Sequence, residues 1–250
     1  MIKNFLKTMA FGMLCLSTSL AYAYNNADLE AVKAGNSCVN GDLSGADLSK
    51  MNLSEKDFSG TDFTQARLVG TDFTKANLSN ANFHSATVNK ALFRGANLQS
   101  ADFSYALAFE TNFTNANLEN ANLYRAQFIS TKLMNANCIG VKADELSLDK
   151  SNADFADFSY ASMPYAWIRN AHFNNTIFRG ANMYSAHLSG SYLKEADCRS
   201  AKMGKADLTQ ANLVGTNFDK AILDNADLRG ANLTFTQFGT AQKDKTLFDK

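Results

Sequence analysis

From about residue 41 onward the chain repeats every five residues without losing phase: GDLSG, ADLSK, MNLSE, KDFSG, TDFTQ and onward. The central residues of these quintets, from Leu43 to Phe238, make 40 positions. Of these, 17 are Leu and 13 are Phe; the rest are Val88, Ala108, Cys138, Ala143, Ala153, Met163, Ile168, Met183, Cys198 and Met203. All are apolar. With 46% of the chain apolar, independent draws would give this about once in 10¹³ trials. Two residues before the centre, 36 of 40 residues are Ala, Gly, Ser or Thr, the exceptions being Met51, Lys56, Val141 and Leu146. The residue just before the centre is Asp or Asn in 23 of 40 quintets.

A helix places apolar residues 3.6 apart and a strand places them 2 apart, so neither explains a period of five. One large apolar, one small and three mostly polar residues suit a coil with one short side per quintet. The large residue points inward, and the small one lets the backbone turn tightly beside it. Asp/Asn and Ser/Thr side chains can then hydrogen-bond local backbone groups at the turns. Internal repetition of this kind decides the fold before any other signal.

ADLSK at 46–50, ANLSN at 76–80 and ANLEN at 116–120 match the signature A(D/N)LXX, and the sequence resembles the pentapeptide-repeat family over about 200 residues. The resemblance implies an all-β solenoid, a right-handed quadrilateral β-helix with one quintet per side and 20 residues per coil. Forty quintets then make about ten coils, a rod of roughly 48 Å at one strand spacing per coil. Centres 20 apart should stack in columns. Phe63, Phe83 and Phe103 share one column, and Phe73, Phe93 and Phe113 another, spacings that suit aromatic stacking. Ala108, lying diagonally among these rings, is placed to relieve crowding.

Residues 1–23 read as a secretory signal: Lys3 and Lys7, an uncharged apolar stretch from Met9 to Leu20, then Ala21-Tyr22-Ala23 as a cleavage site. Twelve residues are too few to span a bilayer, which takes roughly 20. Lipidation at Cys15 is the weaker reading, because Gly12-Met13-Leu14 lacks the usual small residues beside the cysteine. Export to the periplasm or medium follows, with a mature chain from Tyr24. Residues 24–37 read as an N-terminal cap built on a short amphipathic helix (Asn26, Ala27, Asp28, Leu29, Val32, Ala34) stopped by Gly35. The β-helix is expected over 38–240 and a C-terminal tail or cap over 241–250. At that end either Leu247 and Phe248 fold back over the last layer or the last coil pairs with a second copy, as family members do. Residues 141–155 are the weakest repeats, expected as a slack coil or a protruding loop.

Twenty-four basic against 24 acidic residues give no excess cation for phosphate binding, so no nucleic-acid partner is expected. A gyrase-binding mimic of duplex DNA, known in the family, would need an acidic face, and the Asp residues here spread over all sides. It is retained only as a minor reading. Mature Cys38, Cys138 and Cys198 fall on one side, five and three coils apart, or about 24 and 14 Å. Disulfides need Cα atoms within roughly 7 Å, so these read as buried thiols, and no zinc site is expected. His84, His172 and His187 form no sequence constellation with Ser, Cys or Asp. No enzymatic activity, cofactor or metal is expected.

One region departs from the pattern on its outer side. From 162 to 192 the residues before the centres are Ser162, Trp167, His172, Ile177, Asn182, His187 and Tyr192, only one of them Asp or Asn. Trp167 and His187 are 20 apart, as are His172 and Tyr192, and Tyr165 falls on the edge leading into the Trp167 side. The core does not require these residues, and clustered exposed aromatics mark contact surfaces. The expected role is a secreted, non-enzymatic scaffold binding a protein through Tyr165, Trp167, His172, His187 and Tyr192. A structural envelope rod or self-assembling spacer is the alternative, and drift at tolerant surface positions is the bland reading of the same residues.

Overall fold

A computed structural model describes residues 24–249; the expected signal segment lies outside these residues. Along the repeat, the residue before each centre forms a parallel bridge with the residue 20 further on, from Asp42↔Asp62 to Asp227↔Leu247, with no position skipped. Four quintets therefore close one lap, and the chain is a four-sided parallel β-helix. Backbone amides pair by a fixed rule. The centre N–H donates to the lap above (Leu43 N to Asp62 O, 2.8 Å) and the residue before it donates to the lap below (Asp62 N to Gly41 O, 2.9 Å). The last residue of the quintet also donates upward (Gly45 N to Thr64 O, 2.8 Å), and the small residue closes the turn (Ala46 N to Leu43 O, 3.1 Å).

One amide per quintet, that of the residue after the centre, is left over by this scheme. At all 23 Asp and Asn positions before a centre, the side-chain Oδ1 accepts that amide at 2.8–3.3 Å. The Asp/Asn preference thus has a backbone origin, in the local turn bonding these side chains favour. Pro164, the only proline in the chain, occupies this same position in a quintet whose preceding side chain is Ser162. It has no N–H to satisfy there. Asp72→Ala strands the Thr74 amide, which now donates at 2.8 Å, and is expected to cost about 1 kcal/mol. Leu92→Asn, one lap above, supplies an acceptor and is expected to be neutral or stabilising. Urea unfolding of the two variants checks both signs.

Every fifth residue from Asn40 to Lys245 has φ between +52° and +72°, except Thr240. Left-handed backbone is disfavoured for side chains branched at Cβ. At Thr240 the preceding Gly239 takes the positive φ instead, at +42°.

Inside, the columns form as the spacing predicts. Phe63, Phe83 and Phe103 stack at 4.9 and 4.5 Å, and Phe73, Phe93 and Phe113 at 5.2 and 5.0 Å. The two columns meet edge to face at 5.7–6.3 Å. Phe128, one lap above Ala108, stacks on Phe113 at 5.0 Å, so the small residue sits where a ring from the next lap leans across. Residues 141–155 are neither kinked out of the ladder nor looped: Asn122↔Lys142, Gln127↔Ser147 and Lys132↔Asn152 are all paired. Val141 and Ala143 exchange the usual sizes, large before small, and Val141, Ala143, Leu146 and Leu148 are all fully buried.

At the N-terminal end α1 (Asn26–Lys33) begins where Asn25 accepts the Ala27 amide at 2.9 Å, and Gly35 (φ +85°) follows its last turn. Leu29 and Val32 are buried in the same core as Leu43, Leu48 and Leu53. Asp42 has no lap below to receive its amide, and Asp28 of α1 accepts it at 2.9 Å. Ser37 does the same for Asp57 at 3.0 Å. At the other end the ladder runs through the segment expected as a tail. Gln242 bridges Ile222 and Leu247 bridges Asp227, so 241–249 continues the coil. Bridging depends on backbone, so Lys243 at a central position does not stop it. Its Nζ lies 5.0 Å from the Phe238 ring centroid, and Phe248 meets that ring edge-on at 5.9 Å. Leu247 is instead on the outer side, 46% exposed. Among the described residues no helix is long and apolar enough to cross a membrane.

Candidate functional site

The five residues singled out by sequence fall on two adjoining faces and the edge beside them. Trp167 and His187 pair as neighbouring laps and their rings stack at 4.1 Å and 16°. His172 and Tyr192 stack on the next face at 4.6 Å and 11°. Tyr165 projects from the edge, where its ring meets Tyr184 at 6.1 Å. Tyr165, Trp167 and Tyr192 are 51%, 41% and 43% exposed, large fractions for side chains of this size. A 420 Å³ depression is lined by Glu145, Tyr165, Trp167 and His187.

Charged groups frame the rings. Arg169 lies on the edge between the two stacks, its guanidinium 4.8 Å from the Trp167 centroid. Its side chain grips Asp149 from Nε (3.1 Å) and Nη2 (2.5 Å), and that carboxylate raises the guanidinium's pKa. On the edge below Tyr165, Arg125 makes a bidentate pair with Glu145 at 2.9 Å and covers Tyr124 at 5.1 Å. Tyr124 in turn meets Tyr105 at 5.5 Å. Above, Lys205 Nζ lies 5.4 Å from the Tyr184 centroid. Tyr105, Tyr124 and Tyr184 were not among the expected residues. Their signal was available: Tyr105, Arg125, Glu145, Tyr165 and Lys205 are spaced by multiples of 20, as are Tyr124 and Tyr184.

Replacing Asp or Asn before a centre leaves an amide without its acceptor, and in this region the coil supplies another. Asp149 Oδ1 accepts the Arg169 amide (2.8 Å) beside Trp167, and Asp154 accepts that of Asn174 (2.7 Å) beside His172. Asn174 accepts that of Lys194 (3.2 Å) beside Tyr192, and Pro164 removes the need beside Ser162. Four of six departures between 162 and 192 are met in this way. Of the 11 elsewhere among the 40 quintets, one is, where Asn89 accepts the Phe109 amide.

The cysteines of the described residues are enclosed. Cys138 and Cys198 are fully buried free thiols, and burial pushes both pKa values up, which removes thiolate reactivity. His84 Nδ1 lies 2.8 Å from Ser104 Oγ, 20 residues on, a Ser/His meeting that the sequence reading did not expect although the spacing allowed it. Ser104 is buried in the coil, and among the described residues no carboxylate hydrogen-bonds the same imidazole. The geometry is that of a repeat rod presenting side chains outward, a parallel β-solenoid. Eight copies of the profile described as pentapeptide repeats match within residues 42–80, 76–107, 109–137, 156–194, 178–210 and 191–230, and the chain belongs to the pentapeptide-repeat family. The profile passes over 138–155, where the exchanged residue sizes lie.

Among solved structures, the chain is similar to HetL, a pentapeptide repeat protein involved in heterocyst differentiation regulation from the cyanobacterium Nostoc sp. strain PCC 7120. The two are 22% identical over 88% of this chain and 94% of that one, with a TM-score of 0.27. Full-length QnrB1, a plasmid-mediated fluoroquinolone resistance protein, is 18% identical over 82% and 92%, with a TM-score of 0.33. A pentapeptide repeat protein of the Arabidopsis thaliana thylakoid lumen is 28% identical over 52% and 76%, with a TM-score of 0.18. No curated protein matches the chain.

Proposed function

We propose that the protein is an exported, non-enzymatic scaffold, a right-handed rod of about ten laps under a helical cap, that binds a partner protein on the Tyr165, Trp167, His172, His187 and Tyr192 surface. Export rests on the sequence pattern of residues 1–23. The observation that carries the binding role is the substitution of acceptors around the aromatic stacks. Asp or Asn is what the coil favours before a centre, and at Trp167, His172 and Tyr192 it has been given up while Asp149, Asp154 and Asn174 restore the backbone bonding. Exposed aromatics on a rigid support, with Arg169 and Arg125 held by carboxylates, match the composition of protein contact sites, where Trp, Tyr and Arg dominate.

The test uses the chain from Tyr24 as bait against periplasmic extract and culture fluid, beside a variant carrying Tyr165→Ser, Trp167→Asn, His187→Asn and Tyr192→Ser. These side chains lie outside the core, so circular dichroism should be unchanged. Partners captured by the native bait should fall at least tenfold with the variant, since two or more central aromatic anchors each contribute about 1–2 kcal/mol or more. Equal recovery of the same partners by both baits overturns the reading. The intact mass of the protein recovered from each fraction reports whether the chain is exported and cut before Tyr24.

A further inference from the structure

A second surface feature lies on a different edge, one face away from Tyr165. Read up that edge at 20-residue steps, the corner residues are Tyr160, Gly180, Ser200 and Lys220, a sequence of large, none, small and large. The two small corners leave a 380 Å³ depression between the tyrosine ring and the lysine, with Arg179, Arg199 and Asp219 also lining it. The tyrosine lies down over the glycine: a Cβ at position 180 would be 2.9 Å from Tyr160 Cδ1 and 3.0 Å from Cε1. Gly180 has φ +64°, a conformation that Tyr160, Ser200 and Lys220 share on the same edge, so it is the ring upon it that a side chain at 180 would displace.

Both arginines are held by one carboxylate. Asp197 accepts from Arg179 Nε (2.5 Å) and from Arg199 Nε and Nη2 (2.8 and 2.7 Å). Burial works to raise the Asp197 carboxyl, but the bonds from Arg199 and Arg179 outweigh it and bring it down to about 2. Two guanidinium groups sharing one anion keep donors to spare, because each carries five N–H bonds in a planar fork. Asp219 Oδ1 is engaged by the Thr240 amide at 2.9 Å and its hydroxyl at 3.1 Å. Three cations against two carboxylates leave the depression with one positive charge, in a chain whose overall formal charge is zero.

We propose that this depression binds an oxyanion, a phosphate or carboxylate, carried on a flat organic group that rests against Tyr160. Arg179, Arg199 and Lys220 hold the anion; Gly180 lets the tyrosine ring lie flat, and the small Ser200 corner above it gives the bound group its room. The site is independent of the aromatic surface around Trp167.

Titration of the chain from Tyr24 at constant ionic strength with phenyl phosphate, benzoate, inorganic phosphate and benzyl alcohol, followed through the arginine Nε–H resonances, tests it. Saturable binding of phenyl phosphate or benzoate is expected, about threefold to tenfold tighter than inorganic phosphate, the ring contact making the difference. The stronger of the two aryl anions identifies the oxyanion. Arg199→Gln and Lys220→Gln should each weaken binding roughly tenfold, the scale of one charge-assisted hydrogen bond. Tyr160→Ala should remove only the advantage of the aryl anions. Lys220→Gln touches no group that holds the coil together, so it separates binding from folding. No saturation by any anion, equal binding of benzyl alcohol, or affinities unchanged in Lys220→Gln and Arg199→Gln would each overturn the assignment.

Discussion

A variant lacking residues 76–95 is expected to fold into the same rod, shorter by one strand spacing of about 4.8 Å. The cut joins Lys75 to Ala96, which keeps both the quintet phase and the column. Phe63 then lies beneath Phe103 and Phe73 beneath Phe113, replacing the stacks now made through Phe83 and Phe93. Removing Ser85 alone should be far worse than removing all twenty residues. Every later centre would rotate out of register with the laps below, and the bridges that now pair residues 20 apart would place apolar centres outward. The twenty-residue deletion should retain far-UV circular dichroism and a cooperative melt, and the single deletion should lose both. A stable single-residue deletion with native dichroism would refute the lap as the unit of the fold.

Phe93→Ala is the point substitution with the largest expected cost. The ring is fully buried, stacked on Phe73 at 5.2 Å and Phe113 at 5.0 Å, and edge-on to Phe83 and Phe103 at 5.8 Å each. Truncating a buried Phe costs about 3–5 kcal/mol, and losing four aromatic neighbours points to the upper end. The neighbours belong to laps fixed by backbone pairing on both sides, so they cannot collapse into the void. Loss of less than about 1 kcal/mol in urea unfolding would show that the laps slide to close it.

The interior was legible because one class of residue, apolar and mostly Leu or Phe, recurs at one spacing. Phe63, Phe83 and Phe103 could be put in a column from their numbers alone, and so could Trp167 over His187. The outer limits were less so. Only twelve residues follow Phe238, and a separate tail or cap was expected from 241, whereas the bridges at Gln242 and Leu247 use backbone groups that every residue carries. Leu146 in a small-residue position suggested slack, but Val141 and Ala143 simply trade volumes within a buried layer. The Tyr160 depression escaped notice for a different reason. It is defined by what Gly180 and Ser200 lack, and a pattern built on large central residues gives corner residues no weight. The acceptors at Asp149 and Asp154 were hidden likewise, since each serves an amide 20 residues away.

The pairing rule also bears on how such a chain reaches its fold. Leu43 bonds Asp62 and Asp62 bonds Gly41, so the ladder's backbone partners lie only 19 or 21 residues apart. Each new lap requires closure of a loop of the same modest length, and the entropy of that closure does not grow with the size of the protein. Assembly can advance like a zipper, each finished lap serving as the template for the next. With α1 supplying the amide acceptor that the first lap lacks, the end made first in synthesis is also the end where the zipper is already engaged.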